Sequence, residues 1–250
     1  MRKSLIIILT LFVVYGQSFA QIRPNEKLVY TASYNMSGLM TQLAQVSMET
    51  SILRTTKKSY LHLSLSAETF SKWDSFFKIR DLYESYVNPV TLKPSLYNRS
   101  IYEGGYYKTE KYIFNLDGKS INSTAQVKRF PISKQVVRIG ANSVDAVTLI
   151  YKLRTVNFNA LRVGQVLPMI MIFDDKEFKV YIKYLGVQTI STSVFGRKTC
   201  FKLSISANSN KLKGRDRNLI WMTDDARKVP VLIQFSIPVG TGELKLVSER

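Results

Sequence analysis

The sequence predicts a mainly β protein: one curved antiparallel sheet, or a half-closed or closed β-barrel, of about a dozen strands with one central helix. Three observations carry that prediction. Short runs of alternating apolar and polar residues recur along the chain, separated by Gly, Asp, Asn and Pro turn signals. Apolar residues make up 45% of the 250 and charged residues 22%, which suits a packed core rather than global disorder. One stretch alone has helical periodicity: Ser143–Arg154, where Val144, Val147, Leu149, Ile150, Tyr151 and Leu153 form a broad apolar face.

The N-terminus stands apart from that core. Arg2 and Lys3 precede an apolar run, Leu5–Val14, and Ser18-Phe19-Ala20 places small residues where a signal peptidase reads. Residues 1–20 are therefore predicted to be a signal peptide, cleaved between Ala20 and Gln21. An uncleaved N-terminal anchor is the alternative. No later run approaches a membrane span, so the exported chain is not expected to be transmembrane. No cysteine follows the apolar run, which disfavours a lipid-anchored lipoprotein. Residues 21–250 then form a single β-rich domain; a division into two halves meeting near 143–164 is the other arrangement.

The strands follow in order. Leu28–Tyr34 alternates and ends at the Ser37-Gly38 turn. Leu43–Arg54 and Ser59–Thr69 form a hairpin across Thr55–Lys58, with Leu61, Leu63 and Leu65 on one face and Tyr60, His62 and Ser64 on the other. Phe70–Phe77 breaks the alternation and suits a short helical turn or a bend. Ile79–Val87, Ser95–Tyr102 and Gly105–Asn115 are strands, the first two separated by a turn between Asn88-Pro89 and Lys93-Pro94. Asp117-Gly118 marks a tight hairpin into Ile121–Phe130, because Asp-Gly tolerates positive φ. The helix Ser143–Arg154 is expected to be capped by Asn142 or Ser143, with Asp145 favoured in its first turn. Val166–Phe173 and Phe178–Tyr184 flank the acidic turn Asp174–Glu177. Val187–Thr192, Lys198–Ala207, Asn218–Thr223, Val229–Ile237 and Glu243–Val247 complete the set. Pro230 is expected to open an edge strand.

The composition narrows the chemistry. The formal net charge is +18, of which the predicted signal peptide supplies two. Such an excess suits anionic lipid, lipopolysaccharide or acidic glycan, or simply keeps a β-rich protein soluble and its strand edges blunt. Export argues against nucleic acid as a partner. The densest basic segment is Arg197–Arg217. The lone cysteine, Cys200, lies in an alternating strand and is expected to be a buried, inert thiol. The lone histidine, His62, alternates with leucines and is expected to be structural. One His and one Cys cannot supply a zinc site of the usual kind. No Gly-x-Ser-x-Gly elbow or phosphate loop is present, and no cofactor is expected.

Carboxylates and aromatics remain. Asp174-Asp175-x-Glu177 and Asp224-Asp225 place acids at turns, where local backbone hydrogen bonding is the ordinary role. Tyrosines cluster in the middle of the chain and would either line a groove or pair across strands. Tyr86, Tyr102 and Tyr106 are the candidate binding residues there. The stretch Ile220–Val231 contributes Trp221, Asp224, Asp225 and Arg227, with Asp224-Asp225 and Arg227-Lys228 forming a charged turn with a local ion pair. No residue is assigned a catalytic or metal-binding role.

Several segments resemble a bacterial family of exported, periplasmic β-rich proteins known only as a domain of unknown function, number 3108. The segments are Glu26–Tyr30 with the Ser37-Gly38 turn, Ser85–Pro89 followed by Pro94, Tyr102–Gly104, Asp145–Arg154 and Ile220–Val231. The last two are the most specific, and Ala146-Val147 departs from the proline the family often places after the helix Asp. The resemblance implies a location and an architecture but no activity, so it assigns no catalytic residue. Three functions follow, in order: a carrier or binding module for an apolar or amphipathic envelope ligand; an envelope assembly protein binding a protein or anionic polymer; and a glycan hydrolase using turn carboxylates.

Overall fold

The computed structural model describes residues 22–36, 38–207, 218–237 and 240–250. The predicted signal peptide and its cleavage position, Ser37, the basic residues between 208 and 217, and Pro238-Val239 lie outside the described residues. The described residues form fourteen strands and one α-helix. The first arm holds β1 (Lys27–Met36), β2 (Leu39–Arg54), β3 (Ser59–Thr69), β4 (Arg80–Val87), β5 (Pro94–Glu103), β6 (Tyr106–Phe114), β7 (Ser120–Val127) and β8 (Ser133–Arg138). After the helix α1 (Ala146–Leu153) come β9 (Val166–Phe173), β10 (Lys176–Thr192), β11 (Gly196–Ala207), β12 (Leu219–Thr223), β13 (Pro230–Ile237) and β14 (Gly240–Glu249).

All fourteen belong to one curved antiparallel sheet, in the order β8-β7-β6-β5-β4-β3-β2-β1-β14-β13-β12-β11-β10-β9. The first and last strands pair in the middle of the sheet, and β8 and β9, which flank the helix in sequence, are its two outer edges. The sheet is not closed by β8–β9 pairing. Instead the segment between them carries the chain from one edge to the other, with Val144 forming an isolated parallel bridge to Met171 of β9.

Strand alternation decides which residues fill the concave side. Leu28 and Tyr30 of β1, Val46 and Met48 of β2, Leu61 and Leu63 of β3, Tyr97, Tyr112 and Ile121 pack with Val147 and Tyr151 of the helix. Leu153 at the end of the helix and Phe158 beyond it meet Val180, Ile182, Phe201, Leu203, Ile220 and Met222 from the other arm. The helix thus fills the hollow of the sheet.

Four expectations are corrected. The helix is capped by Asp145, whose carboxylate accepts from the Thr148 N–H at 2.8 Å, rather than by Asn142 or Ser143. The stretch Ile121–Phe130 ends as a strand at Val127, and a separate edge strand follows at Ser133–Arg138. Phe178–Tyr184 and Val187–Thr192 are one strand, irregular between Tyr184 and Val187, where Gly186 takes φ +93°. Pro230 opens an interior strand, between β12 and β14; it is accommodated as the first residue, at a register shift opposite Met222.

Candidate functional site

The candidate residues named from sequence fall into four places. Trp221 is 5% exposed and packed in the core, its indole N–H donating to Gln188 Oε1 at 3.0 Å. Asp224, Asp225 and Arg227 lie in the β12–β13 turn. Tyr102 and Tyr106 flank the β5–β6 turn, which the strand alternation places at the opposite end of the sheet from β12–β13. Tyr86 lies near the end of β4, on its convex side, stacked on His62 with ring centroids 4.5 Å apart. The fold therefore separates the two groups that sequence singled out.

The β12–β13 turn is a structural junction. Asp225 accepts from Thr223 Oγ1 and from the N–H groups of Arg227 and Lys228, and pairs with Lys198 at 3.0 Å. Burial opposes its ionisation, but Lys198 and Thr223 outweigh burial and hold the carboxyl below the ordinary range. Arg227 turns away from the acids of its own turn and reaches Glu26 and Glu249. The expected local ion pair is replaced by these longer-range ones. Glu26 also forms a two-point pair with the fully buried Arg154, at 2.6 and 2.9 Å. Burial of Glu26 raises its pKa, and the two guanidinium groups bring it below the usual carboxylate range.

The acidic turn between β9 and β10 docks on the concave face of the first arm. Asp174 is held by Arg99 and Lys108, Asp175 N–H donates to Tyr112 Oη at 3.0 Å, and Gln135 of β8 donates to Asp175 at 2.8 Å. Glu177 accepts from the Gly140 N–H and Ser143. These acids join the two edges of the sheet. A glycosidase instead needs two carboxyl groups facing each other across a substrate cleft.

Other groups suited to catalysis are similarly engaged. His62 Nε2 meets Glu84 at 2.9 Å and Nδ1 meets Ser51 Oγ at 3.3 Å on the convex face. This orders the imidazole against the sheet. Cys200 is buried, and burial pushes its thiol pKa up to about 11, far from the thiolate a nucleophile requires.

One rim of the first arm gathers exposed aromatic side chains. The turns after β1, β3, β5 and β7 all fall at the same end, because successive strands alternate in direction. Hydrogen bonds join them side by side. Trp73 Nε1 donates to Gln42 O at 2.8 Å, Gly104 N to Lys78 O at 2.9 Å, and Lys128 N to Tyr107 O at 2.8 Å. Gly104, at φ +54°, leaves room for the Phe77 ring, which a Cβ there would strike.

The rim is apolar at its tips and basic between them. Leu39, Phe76 and Phe130 are 74%, 78% and 66% exposed. Phe76, Phe77 and Phe130 are the only phenylalanines in the exposed class among the described residues. Tyr102, Tyr106 and Tyr107 stand beside them, with exposed Lys72, Lys78, Lys128 and Arg129. Tyr107, Lys128, Arg129 and Phe130 border a shallow hollow of about 580 Å³. Asp74 is already paired with Arg80 at 2.5 Å, and Glu103 leans on the buried Asp81. Of this group, Tyr102 and Tyr106 are the binding candidates that the sequence offers, with Tyr107 in the same tyrosine cluster. The signals that point to the rest are Phe76-Phe77, apolar where alternation fails, and Lys128-Arg129-Phe130, basic and aromatic within one turn.

A family model described as a protein of unknown function, DUF3108, matches residues 29–247, and the chain belongs to that family. No curated protein matches it. Among solved structures, it is similar to a β-barrel-like protein of the DUF1849 domain of unknown function from Brucella abortus. That likeness has 7% identity, 91% of this chain, 97% of the other and a TM-score of 0.57, and it shows the fold. Two further similarities have TM-scores of 0.37: an exported-protein candidate with YmcC-like fold from Bacteroides fragilis and a lipoprotein candidate from Parabacteroides distasonis. They share 6% and 10% identity, and each covers 93% of this chain and 98% of the other.

Proposed function

We propose that this DUF3108 member is an exported envelope protein, periplasmic after cleavage of residues 1–20, and a non-catalytic binding module for an apolar or amphipathic ligand. The observation that carries the reading is the rim. It keeps phenylalanines in water beside exposed cations, whereas Asp174, Asp175, Glu177, the histidine and the thiol are tied into the fold. Contiguous exposed apolar patches rimmed by polar residues mark interaction sites. Because the helix fills the concave side, binding is assigned to this rim and not to the barrel interior.

The test is a titration of the purified chain with a short-chain anionic amphiphile below its micelle concentration, alongside native mass spectrometry of gently purified protein. Saturable binding, with loss in a Phe130→Ser/Lys128→Ala/Arg129→Ala variant, is the expected result. No bound amphiphile in either measurement rejects the reading. A second reading, envelope assembly, draws on β8, which pairs only with β7 and exposes an unpaired edge suited to adding a partner's strand. It requires a protein partner whose capture is lost when Val136 is replaced by Pro.

A further inference from the structure

Building on the amphiphile-binding reading, we infer that the rim seats on the surface of an anionic phospholipid bilayer rather than enclosing single ligand molecules. The geometry sets the scale. The apolar tips occur on successive turns from β2 to β8, six strand-to-strand steps at about 4.8 Å, or roughly 29 Å of sheet end. Phe76-Phe77, the Tyr102/Tyr106/Tyr107 group and Phe130 with Ile132 form a row along that length. A row of separate tips matches an extended interface; a small ligand would need walls on several sides.

The chemistry matches the two layers of a bilayer surface. Phenylalanine and leucine tips suit the acyl boundary, and tyrosine rings suit the headgroup level, where one end of the ring is dry and the other wet. Lys72, Lys78, Lys128 and Arg129 lie next to the tips, where they meet anionic headgroups. Of the acids nearby, Asp74 is engaged by Arg80 and Asp81 is buried, while Glu68 and Glu103 sit at the ends of β3 and β5. Phe77 is seated over Gly104, which fixes the loop that carries Phe76. The rim also carries its own reporter, because Trp73 is half-buried there while the other tryptophan, Trp221, is in the core.

The experiment is co-sedimentation of the chain from Gln21 onward with vesicles of phosphatidylcholine alone and of phosphatidylcholine mixed with phosphatidylglycerol, read together with the Trp73 emission. Binding is expected to be at least about tenfold tighter on the anionic vesicles and to weaken at about 1 M salt, where the screening length falls to about 3 Å. Emission is expected to shift to the blue on binding. Phe76→Ser/Phe130→Ser removes two solvent-exposed rings and is expected to lose at least about tenfold in affinity at unchanged urea midpoint. Leu116→Ser, in the β6–β7 turn at the other end of that arm, is expected to bind as the parent does. Equal binding to both vesicle types, or full binding by the double Ser variant, overturns the inference. Binding of a monomeric anionic amphiphile without vesicle binding also overturns it while leaving the general binding reading intact. Failure with both removes the two together.

Discussion

Asp81 shows how one buried residue sets a pH dependence for the whole chain. It is 7% exposed at the start of β4, and its Oδ1 accepts from the Tyr102 N–H at 3.0 Å. Burial is the largest influence and raises its pKa; the Tyr102 N–H and Arg99 pull down, Glu103 pushes up, and the result is about 7 against an ordinary 3.8. Between those values the folded chain keeps a proton that the unfolded chain has released. Stability from this group is therefore greatest below about pH 4 and falls as pH rises towards 7. Asp81→Asn keeps the acceptor and removes the titration. The variant is expected to gain about 1–3 kcal/mol over the parent at pH 8 and little at pH 4, read from urea midpoints across that range. Parallel pH profiles for the two proteins would reject the assignment. None of this was legible in the sequence, where Asp81 is one polar residue in an alternating run. The same holds for Glu26 and Arg154, which are 128 positions apart and meet only because β1 and the end of α1 converge. By contrast, the buried thiol of Cys200 was legible, because an unpaired cysteine is among the most often buried residue types.

At the scale of elements, alternation made most strands legible because one face of each is buried and the other is wet. The β2–β3 hairpin matches its predicted turn, and Leu61 and Leu63 face the core as expected. The failures have physical causes. β8 is exposed along almost its whole length, so it has no buried face to impose a pattern. β10 changes side at Gly186, so one long strand looks like two. Pro230 suggested an edge because strand order is a tertiary property; the register shift beside it supplies the missing tolerance. The helix was legible as a segment but not as a junction. Its cap, Asp145, is fully buried and accepts not only from Thr148 but also from Ser85 Oγ of β4 at 2.7 Å. Burial raises its pKa, against the hydrogen bonds that favour the carboxylate. Asp145→Ala removes a cap and strands two buried hydroxyls, so a loss of about 2–4 kcal/mol is expected in urea unfolding. A loss under about 1 kcal/mol would mean that Ser85 and Thr148 satisfy each other, as their 2.9 Å separation permits.

At the scale of the molecule, the open question the fold answers is how a sheet with two free edges holds its curvature. Backbone pairing is continuous from β8 round to β9 and stops there. Side chains take over: Asp174 sits between Arg99 and Lys108, Gln135 reaches Asp175, and Glu177 gathers Gly140 and Ser143. Arg99 and Glu110 are almost wholly buried, so the cluster loses much if one partner is neutralised. The sequence displayed the acids of this turn but not their partners, 66 and 75 positions away. If these polar contacts fasten the edges, their loss should open the molecule locally before it unfolds. Asp174→Asn/Glu177→Gln keeps the size of both groups and removes both charges. Hydrogen exchange in residues 133–145 and 166–178 is expected to accelerate about tenfold or more, corresponding to about 1.4 kcal/mol of local opening energy. Amides of β1, β2 and β14, at the middle of the sheet, should keep the parent's protection. Uniform acceleration across all strands would show that the edge contacts support the entire sheet cooperatively, whereas unchanged exchange at both edges would assign the curvature to the helix and the core it fills.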